Sequence, residues 1–69
     1  MILFISHTDW ANVGYNYARA LNSIGVEARA LARKNSPAYE EDMQAEIVNR
    51  REMEDYSSNA DFVVIMHSQ

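Results

Sequence analysis

The chain has 69 residues, no cysteine and a formal net charge of −4. This length allows one domain, spanning residues 1–69, and the acidic balance argues against nucleic-acid binding, which needs clustered lysine and arginine. Disulfides are excluded, and the two histidines give no local zinc pattern. A fold this small is therefore expected to gain stability by associating with another copy or another domain.

No segment has the character of a targeting or membrane sequence. The apolar start, Met1 to Ile5, gives way at once to a polar cluster, so it is too short for the apolar core of a signal peptide. It also has no basic leader. No stretch approaches the roughly 20 apolar residues that a membrane span needs. Together with the lack of cysteine, these features favour a cytoplasmic protein without a membrane span.

Changes in hydrophobic period divide the first half of the chain into strand, helix and strand. The continuous apolar run from Ile2 to Ile5 predicts a buried strand. Apolar residues then recur every three or four positions from Val13 to Ile24, which predicts a helix with Asn12 as N-cap and Gly25 as terminator. Alternation from Val26 to Ala32 predicts a second strand with one exposed face.

The second half predicts one long helix and one strand. Ser36 and Pro37 form a typical helix entry, with serine as the cap and proline at the first helical position. Good helix formers follow, acidic near the start, so we expect a helix from Pro37 to about Ser57. The run from Phe62 to Met66 is again apolar throughout, and it predicts a third strand.

This alternation predicts an α/β fold, a three-stranded parallel sheet of the β-α-β-α-β type that amounts to a Rossmann-like half domain. The first strand is apolar on both faces and needs cover on both. Strand order 2-1-3 provides that cover, because it places one helix on each face. The third strand then lies at an edge although it too is apolar on both faces, so we expect something to lie beyond it.

The expected position of a site follows from this topology. Ligands of open parallel sheets bind at the carboxyl ends of the strands, where the strand order reverses. In order 2-1-3 this point brings together the segments Ser6 to Gly14 and His67 to Gln69. The first segment leads into a helix N-terminus, which attracts anions. Neither a G-x-G-x-x-G fingerprint nor a P-loop is present.

Several short motifs resemble the start of GT-B glycosyltransferases. They are Ile2 to His7, Asn12 to Tyr15, Tyr17 to Leu21 followed by Gly25-Val26, and Ala60 to Ser68, which is similar to an A-D-x-V-x-x-H-S strand. The resemblance spans nearly the whole chain. It departs from the family pattern by carrying one glycine in the first loop where many relatives have two.

The resemblance implies transfer of a sugar from a nucleotide sugar to an acceptor. The nucleotide sugar would be a co-substrate of the full-length parent, and neither a cofactor nor an obligatory metal is implied. The loop from His7 to Gly14 would lie on the acceptor and phosphate side of a cleft, so the expected ligand is a sugar or a phosphate. The family's chemistry takes place between two domains, and we expect this chain to be catalytically incomplete by itself.

Eight residues are candidates for the site. His7 is the candidate acceptor-side base, and Asp9 would orient it or bind a hydroxyl. The candidate ligand-binding residues are Trp10, Asn12, Gly14, Tyr15, His67 and Ser68. Several have a structural alternative: His7 as a loop residue at a strand end, Asp9 in a turn, Trp10 as an anchor of its loop, Gly14 as a point of close helix–strand packing, and Tyr15 as an exposed helix position.

Two function classes follow from these features. The leading hypothesis is an N-terminal, acceptor-side fragment of a GT-B-like glycosyltransferase, whose partner is a missing C-terminal domain or a second copy. The alternative is a small non-enzymatic interaction module, for example a phage or bacterial regulatory or inhibitor protein that acts as a dimer on a protein partner. A response-regulator-like domain is disfavoured, because no acidic pair follows the first strand and no aspartate ends the third.

Overall fold

The computed structural model describes residues 1–9, 12–34, 40 and 43–66. These residues form a parallel sheet with two helices. The elements in chain order are β1 Ile2–Thr8, α1 Val13–Ser23, β2 Ala28–Lys34, β3 Glu46–Ile47, α2 Arg50–Asn59 and β4 Phe62–Ile65. The strand order is β3-β2-β1-β4, and every neighbouring pair is parallel. The prediction of an α/β fold with a parallel sheet is confirmed, whereas the predicted three strands in order 2-1-3 are corrected to four strands.

The central strand, β1, sends alternate side chains into two separate cores. One core lies under α1 and contains Phe4, Ala18 and the three alanines of β2. The other lies under α2 and is built around Leu3 and Leu31, both fully buried. Because successive side chains of a strand point to opposite faces, the two helices cover opposite faces of the sheet, as expected from the sequence.

The long helix predicted from Pro37 to about Ser57 is wrong in its middle part. There, Glu46–Ile47 forms β3, and the Val48 N–H donates to the Ala32 carbonyl oxygen over 3.0 Å. Two consecutive β-branched residues, Ile47 and Val48, favour this extended backbone over a helix. The predicted helix entry at Ser36-Pro37 lies outside the described residues.

The second helix, α2, begins only after Asn49, where the sequence carries a capping box. The Asn49 side chain accepts from the Glu52 N–H at 2.8 Å, and the Glu52 carboxylate accepts from the Asn49 N–H at 3.2 Å. This reciprocal pair satisfies two N–H groups that a helix start otherwise leaves without partners. It fixes the beginning of α2 more firmly than helix propensity could.

The start of β2 is shifted from the predicted Val26 to Ala28 because the preceding residues terminate α1. Val26 N–H donates to the Leu21 carbonyl at 3.0 Å, and Gly25 N–H donates to the Asn22 carbonyl at 3.1 Å. Gly25 has φ 86°, a left-handed conformation that glycine adopts without steric cost, so its predicted role as terminator is confirmed.

At the beginning of β2, the side chain of Asn22 makes the main-chain hydrogen bonds that a neighbouring strand would make. Its Oδ1 accepts from the Ala28 N–H at 2.9 Å, and its Nδ2 donates to the Ala28 carbonyl at 3.0 Å. A paired strand bonds the same two main-chain groups. Since β3 pairs only with Leu31 and Ala32, Asn22 closes a part of the β2 edge that β3 does not reach.

The two remaining strands also differ in length from their predictions. β1 continues past Ile5 to Thr8, because its ladder with β2 extends to the pair Thr8 and Lys34. β4 ends at Ile65 rather than Met66, although the Met66 N–H still donates to the Ile5 carbonyl at 2.7 Å. All four residues of β4 are therefore paired with β1.

Candidate functional site

The carboxyl ends of β1 and β4 lie side by side, as the position of the predicted site requires. The polar residues Ser6, Thr8 and Asp9 at the end of β1 are buried. The chain then passes to α1, whose first residues lie next to Met66 at the end of β4. The described part of the predicted site is thus a compact junction of two strand ends and one helix start.

At this junction, Asp9 caps α1. Its Oδ1 accepts from the Gly14 N–H at 3.2 Å, and its Oδ2 accepts from the Tyr15 N–H at 3.0 Å. A carboxylate is well suited to this place, because free N–H groups and the helix dipole make a helix N-terminus positive. The Asp9 side chain therefore occupies the position at which the sequence pattern predicts an external anion.

His7 points away from this cap. It is exposed, and it lies on the sheet face of Leu3 and Ile5, which is the face that α2 covers. No hydrogen bond between described residues joins His7 to Asp9, whose two helix bonds hold it elsewhere. The structure thus does not assemble the predicted base and its orienting carboxylate, although His7 remains accessible at the end of β1.

Gly14 serves close packing. A Cβ built on it would lie 3.3 Å from Asp9 Oδ2, 3.3 Å from Met66 Sδ and 3.5 Å from Phe4 Cβ. The two separations of 3.3 Å are short for a carbon contact and the third is an ordinary contact, so the missing side chain lets α1 lie close to Asp9 and the end of β4. Its neighbour Tyr15 is half-buried and packs against the core under α1.

Asn12 links the start of α1 to the segment before β3. Its backbone is left-handed, with φ 57°, a conformation that asparagine tolerates better than most residues. The side-chain Nδ2 donates to the Met43 carbonyl oxygen at 2.7 Å, while Oδ1 is buried without a hydrogen-bond partner among the described residues. Asn12 thus directly precedes α1, as predicted, but its side chain does not cap the helix, and Asp9 performs that role.

Three predicted ligand-binding residues cannot be placed. Trp10, His67 and Ser68 lie outside the described residues, and their roles stay predictions. The structure therefore brings Asp9, Asn12, Gly14 and Tyr15 together and leaves His7 on another face of the same strand end.

A cluster around Arg29 was not anticipated from the sequence. Its Nη1 donates to the Tyr56 hydroxyl oxygen at 2.9 Å and lies 3.4 Å from Glu46 Oε1, and its guanidinium lies 5.2 Å from the centre of the Tyr56 ring. The cluster ties β2 to β3 and α2. Residues separated by 17 and 27 positions meet here, so no local pattern could have indicated it.

Two open grooves flank this cluster. One, of about 560 Å³, lies between α1 and β2 over an apolar floor that includes Ala28 and Ala30. The other, of about 380 Å³, is lined by Met1, Tyr56 and the acidic residues Glu27, Glu52 and Asp55. Neither groove includes any of the predicted site residues except Tyr15, which lines the first.

The amino end of the sheet carries an ion pair between the Met1 amine and Asp61. The hydrogen bond that the amine donates to the Asp61 carboxylate raises the pKa of the amine above its usual 8.0, and the charge of Asp61 acts in the same direction. The same hydrogen bond, followed by the charge of the amine, lowers the pKa of Asp61 below its usual 3.8. The pair fastens the start of β4 to the start of β1, where the Asp61 N–H also donates to the Met1 carbonyl at 2.9 Å.

The outermost strand, β4, exposes all four of its side chains. The exposed fractions are 68% for Phe62, 41% for Val63, 42% for Val64 and 71% for Ile65. By register, Phe62 and Val64 belong to the face of α1, and Val63 and Ile65 belong to the face of α2. Since α1 packs mainly on β1 and β2 and the core under α2 is built around Leu3 and Leu31, the described helices leave side chains exposed on both faces of β4, and β1 is its one strand neighbour within the described chain.

Within the described residues, no three histidine, aspartate or glutamate side chains are grouped so that they could hold a metal ion. No helix in the described part of the chain combines the length and the apolar character needed to cross a membrane. No protein-family model matches the sequence. No curated protein and no solved structure shows significant similarity to the chain.

Proposed function

We propose that this chain is the N-terminal, acceptor-side part of a GT-B-like glycosyltransferase and that it becomes active only when its sheet is completed at β4. The observation that carries this proposal is the exposure of all four apolar side chains of β4. Strands with apolar side chains on both faces are typical of the interior of parallel sheets, where helices cover both faces. Further strands and helices beside β4 would give it that environment.

The two edges of the sheet differ in a way that supports this proposal. The β3 edge is only two residues long, is extended by the Asn22 side chain, and carries the Arg29–Glu46 ion pair. Short strands and charged side chains are the usual means of protecting an edge against pairing. β4 is longer than β3 and carries no charged side chain, so completion of the sheet is expected at β4.

The cap on α1 favours an acceptor hydroxyl over a phosphate as the ligand of the loop from His7 to Gly14, called the β1 loop below. The Asp9 carboxylate already binds the Gly14 and Tyr15 N–H groups. A phosphate at the same helix start would meet a buried negative charge instead of free N–H groups. A neutral sugar hydroxyl avoids that repulsion, and its proton acceptor would be His7, which is exposed on the α2 face of the same strand end.

Binding of simple sugars tests this assignment directly. Adding methyl glucoside to the isotopically labelled chain should shift the amide resonances of Thr8, Asp9 and Tyr15, and adding inorganic phosphate should not. His7→Ala should weaken the glycoside effect, whereas Asn16→Ala, at an exposed position of α1, should leave it unchanged. The assignment is abandoned if millimolar glycoside moves none of these resonances or if phosphate moves them more strongly.

Turnover supplies a second test. The chain by itself should not consume nucleotide sugars in the presence of glycoside acceptors, because the resemblance places the donor on a second domain. Sustained release of nucleoside diphosphate by the purified chain, absent from a His7→Ala preparation, would refute the claim that the chain is incomplete.

A second candidate function rests on the same β4 edge. In a non-enzymatic interaction module, β4 itself would be the functional surface, and the loop from His7 to Tyr15 would bind no sugar. The two candidates separate in the glycoside experiment: the transferase part responds at the β1 loop, whereas the interaction module responds only to protein concentration, at β4.

A further inference from the structure

We propose that the 69-residue chain, when it is by itself, pairs β4 with β4 of a second copy in antiparallel fashion, across a twofold axis through Val64. This inference rests on the open β4 edge of the proposed function. It adds the identity of the partner and the register of the pairing.

Main-chain geometry defines which groups of β4 are available. The Met66 N–H donates to the Ile5 carbonyl of β1 at 2.7 Å. In a parallel ladder the main-chain groups of successive residues point to opposite sides of the strand. Val64, two residues before Met66, therefore also directs its groups toward β1, and Val63 and Ile65 direct theirs outward.

Two outward residues are what antiparallel self-pairing needs. With the axis through Val64, Val63 of each copy exchanges two hydrogen bonds with Ile65 of the other, which satisfies all four outward donors and acceptors of each strand. The two Val64 residues face each other as a non-hydrogen-bonded pair, whose Cα atoms lie about 4.5 Å apart. A twofold axis makes this patch meet itself, so the assembly closes as a dimer.

The register shifted toward the start of β4 is disfavoured by a bond already made. An axis through Val63 would place Ile65 opposite Asp61 of the second copy and would require the Asp61 main chain as a pairing group. The Asp61 N–H instead donates to the Met1 carbonyl at 2.9 Å, and the Asp61 carboxylate binds the Met1 amine. Pairing of β4 with the β3 edge of another copy is disfavoured by the short, charged character of that edge.

Charge and area set the strength of the dimer. The chain carries a net charge of −4, which opposes association, but β4 itself has no charged residue to place against its mate. Four partly exposed side chains on one short strand contribute well under the ~800 Å² per partner of a standard interface. We therefore expect a weak dimer, with a dissociation constant of roughly micromolar or above.

Cysteine cross-linking reads the register directly, because the chain has no cysteine of its own. Disulfides form between Cα atoms roughly 4.4–6.8 Å apart, so Val64→Cys should give a disulfide-linked dimer under mild oxidation. Val63→Cys changes a side chain of almost equal exposure, but across this axis its two copies lie roughly 7–8 Å apart and should cross-link poorly. Ser58→Cys, exposed on α2, measures the background from random collision.

The cross-linking yields of the three variants distinguish the proposed register from other registers and from a monomer. Cross-linking of Val64→Cys at least tenfold above the Ser58→Cys background, with Val63→Cys near background, supports the register. Stronger cross-linking of Val63→Cys overturns it, and background levels for both variants in a chain shown by circular dichroism to be folded overturn the dimer. The proposed sugar site is judged independently by the glycoside titration, so failure of one inference leaves the other standing.

Discussion

Asp9 illustrates how one side chain settles the local structure of the candidate site. Its carboxylate satisfies two N–H groups at the start of α1, and Gly14 leaves the space in which it lies. These two residues act together, since the cap needs the close approach of α1 that glycine permits.

Removal of the cap should destabilise the fold. We expect Asp9→Ala to lower the free energy of unfolding by about 1–2 kcal/mol, because helix N-cap acceptors contribute this much. Asp9→Asn should cost less, since one acceptor oxygen remains. Urea denaturation measures both, with the exposed Asp55→Asn as the control, and an Asp9→Ala chain as stable as the wild type would contradict the assigned role.

Gly14→Ala tests the packing role. In an ordinary helix position this change stabilises by roughly 1 kcal/mol. Here the new Cβ meets Asp9 Oδ2 and Met66 Sδ at 3.3 Å, so we expect a net loss of stability. In an Asp9→Ala background the loss should shrink, because one of the crowding atoms is gone. Additive effects of the two changes would show that Gly14 and Asp9 are not coupled.

The Met1–Asp61 pair gives the chain a predictable pH dependence. The lowered pKa of Asp61 contributes stability that is present above pH 3.8 and is lost as the pH falls through the pKa of the folded state. The raised pKa of the Met1 amine contributes stability that is fully present below pH 8.0 and is lost as the pH rises through its folded-state pKa. The contribution of the pair is therefore greatest between these limits.

Asp61→Asn should lower stability modestly near pH 6 and flatten both limbs of the profile, as followed by thermal melting at several pH values. The control is Asp55→Asn, which removes an exposed carboxylate that has no such partner among the described ion pairs. If Asp61→Asn leaves the alkaline limb of the profile unchanged, the pair does not form in solution.

At the scale of elements, the beginning of α2 depends on the capping box formed by Asn49 and Glu52. Asn49→Ala removes the acceptor for the Glu52 N–H and should destabilise the chain by about 1 kcal/mol. Arg51→Ala, in the same first turn, should leave stability unchanged or slightly raised, because a positive charge opposes the helix dipole there. Equal losses in the two variants would mean that the capping box does not determine where α2 starts.

The elements that could be predicted from the sequence are those with a strong local pattern. β1, α1 and β4 have uninterrupted apolar runs or a clear helical period, and Gly25 ends α1 as its type predicts. β3 was missed because a strand of two residues has no period of its own, and its pairing with β2 depends on residues far away in sequence. The signal that could have prevented the error was the capping box at Asn49.

In the candidate site, too, some features could be predicted from the sequence and others could not. Its place at the ends of β1 and β4 followed from topology, and Asp9, Asn12 and Gly14 are each buried there. The roles inside it could not be read from residue type. Whether an aspartate binds a ligand or caps a helix depends on a few ångströms of backbone path, which the sequence pattern does not specify.

For the whole molecule, the decisive property is the contrast between its two sheet edges. β3, Asn22 and the Arg29 cluster close one edge, whereas β4 is an apolar strand that exposes side chains on both faces and has no strand neighbour on its outer side among the described residues. Each of the proposed functions uses this second edge, either for further strands of a transferase or for a partner strand.

The most direct test of the open edge is sedimentation velocity of the unmodified chain and of Val64→Lys, from low micromolar to near-millimolar concentration. The average mass of the wild type should rise from that of one chain toward that of two, and its melting temperature should rise with it. Val64→Lys should remain a monomer at every concentration at which it is folded, while Arg51→Ala should behave as the wild type. A wild-type chain that stays monomeric throughout, with a cooperative melting transition independent of concentration, would contradict the account.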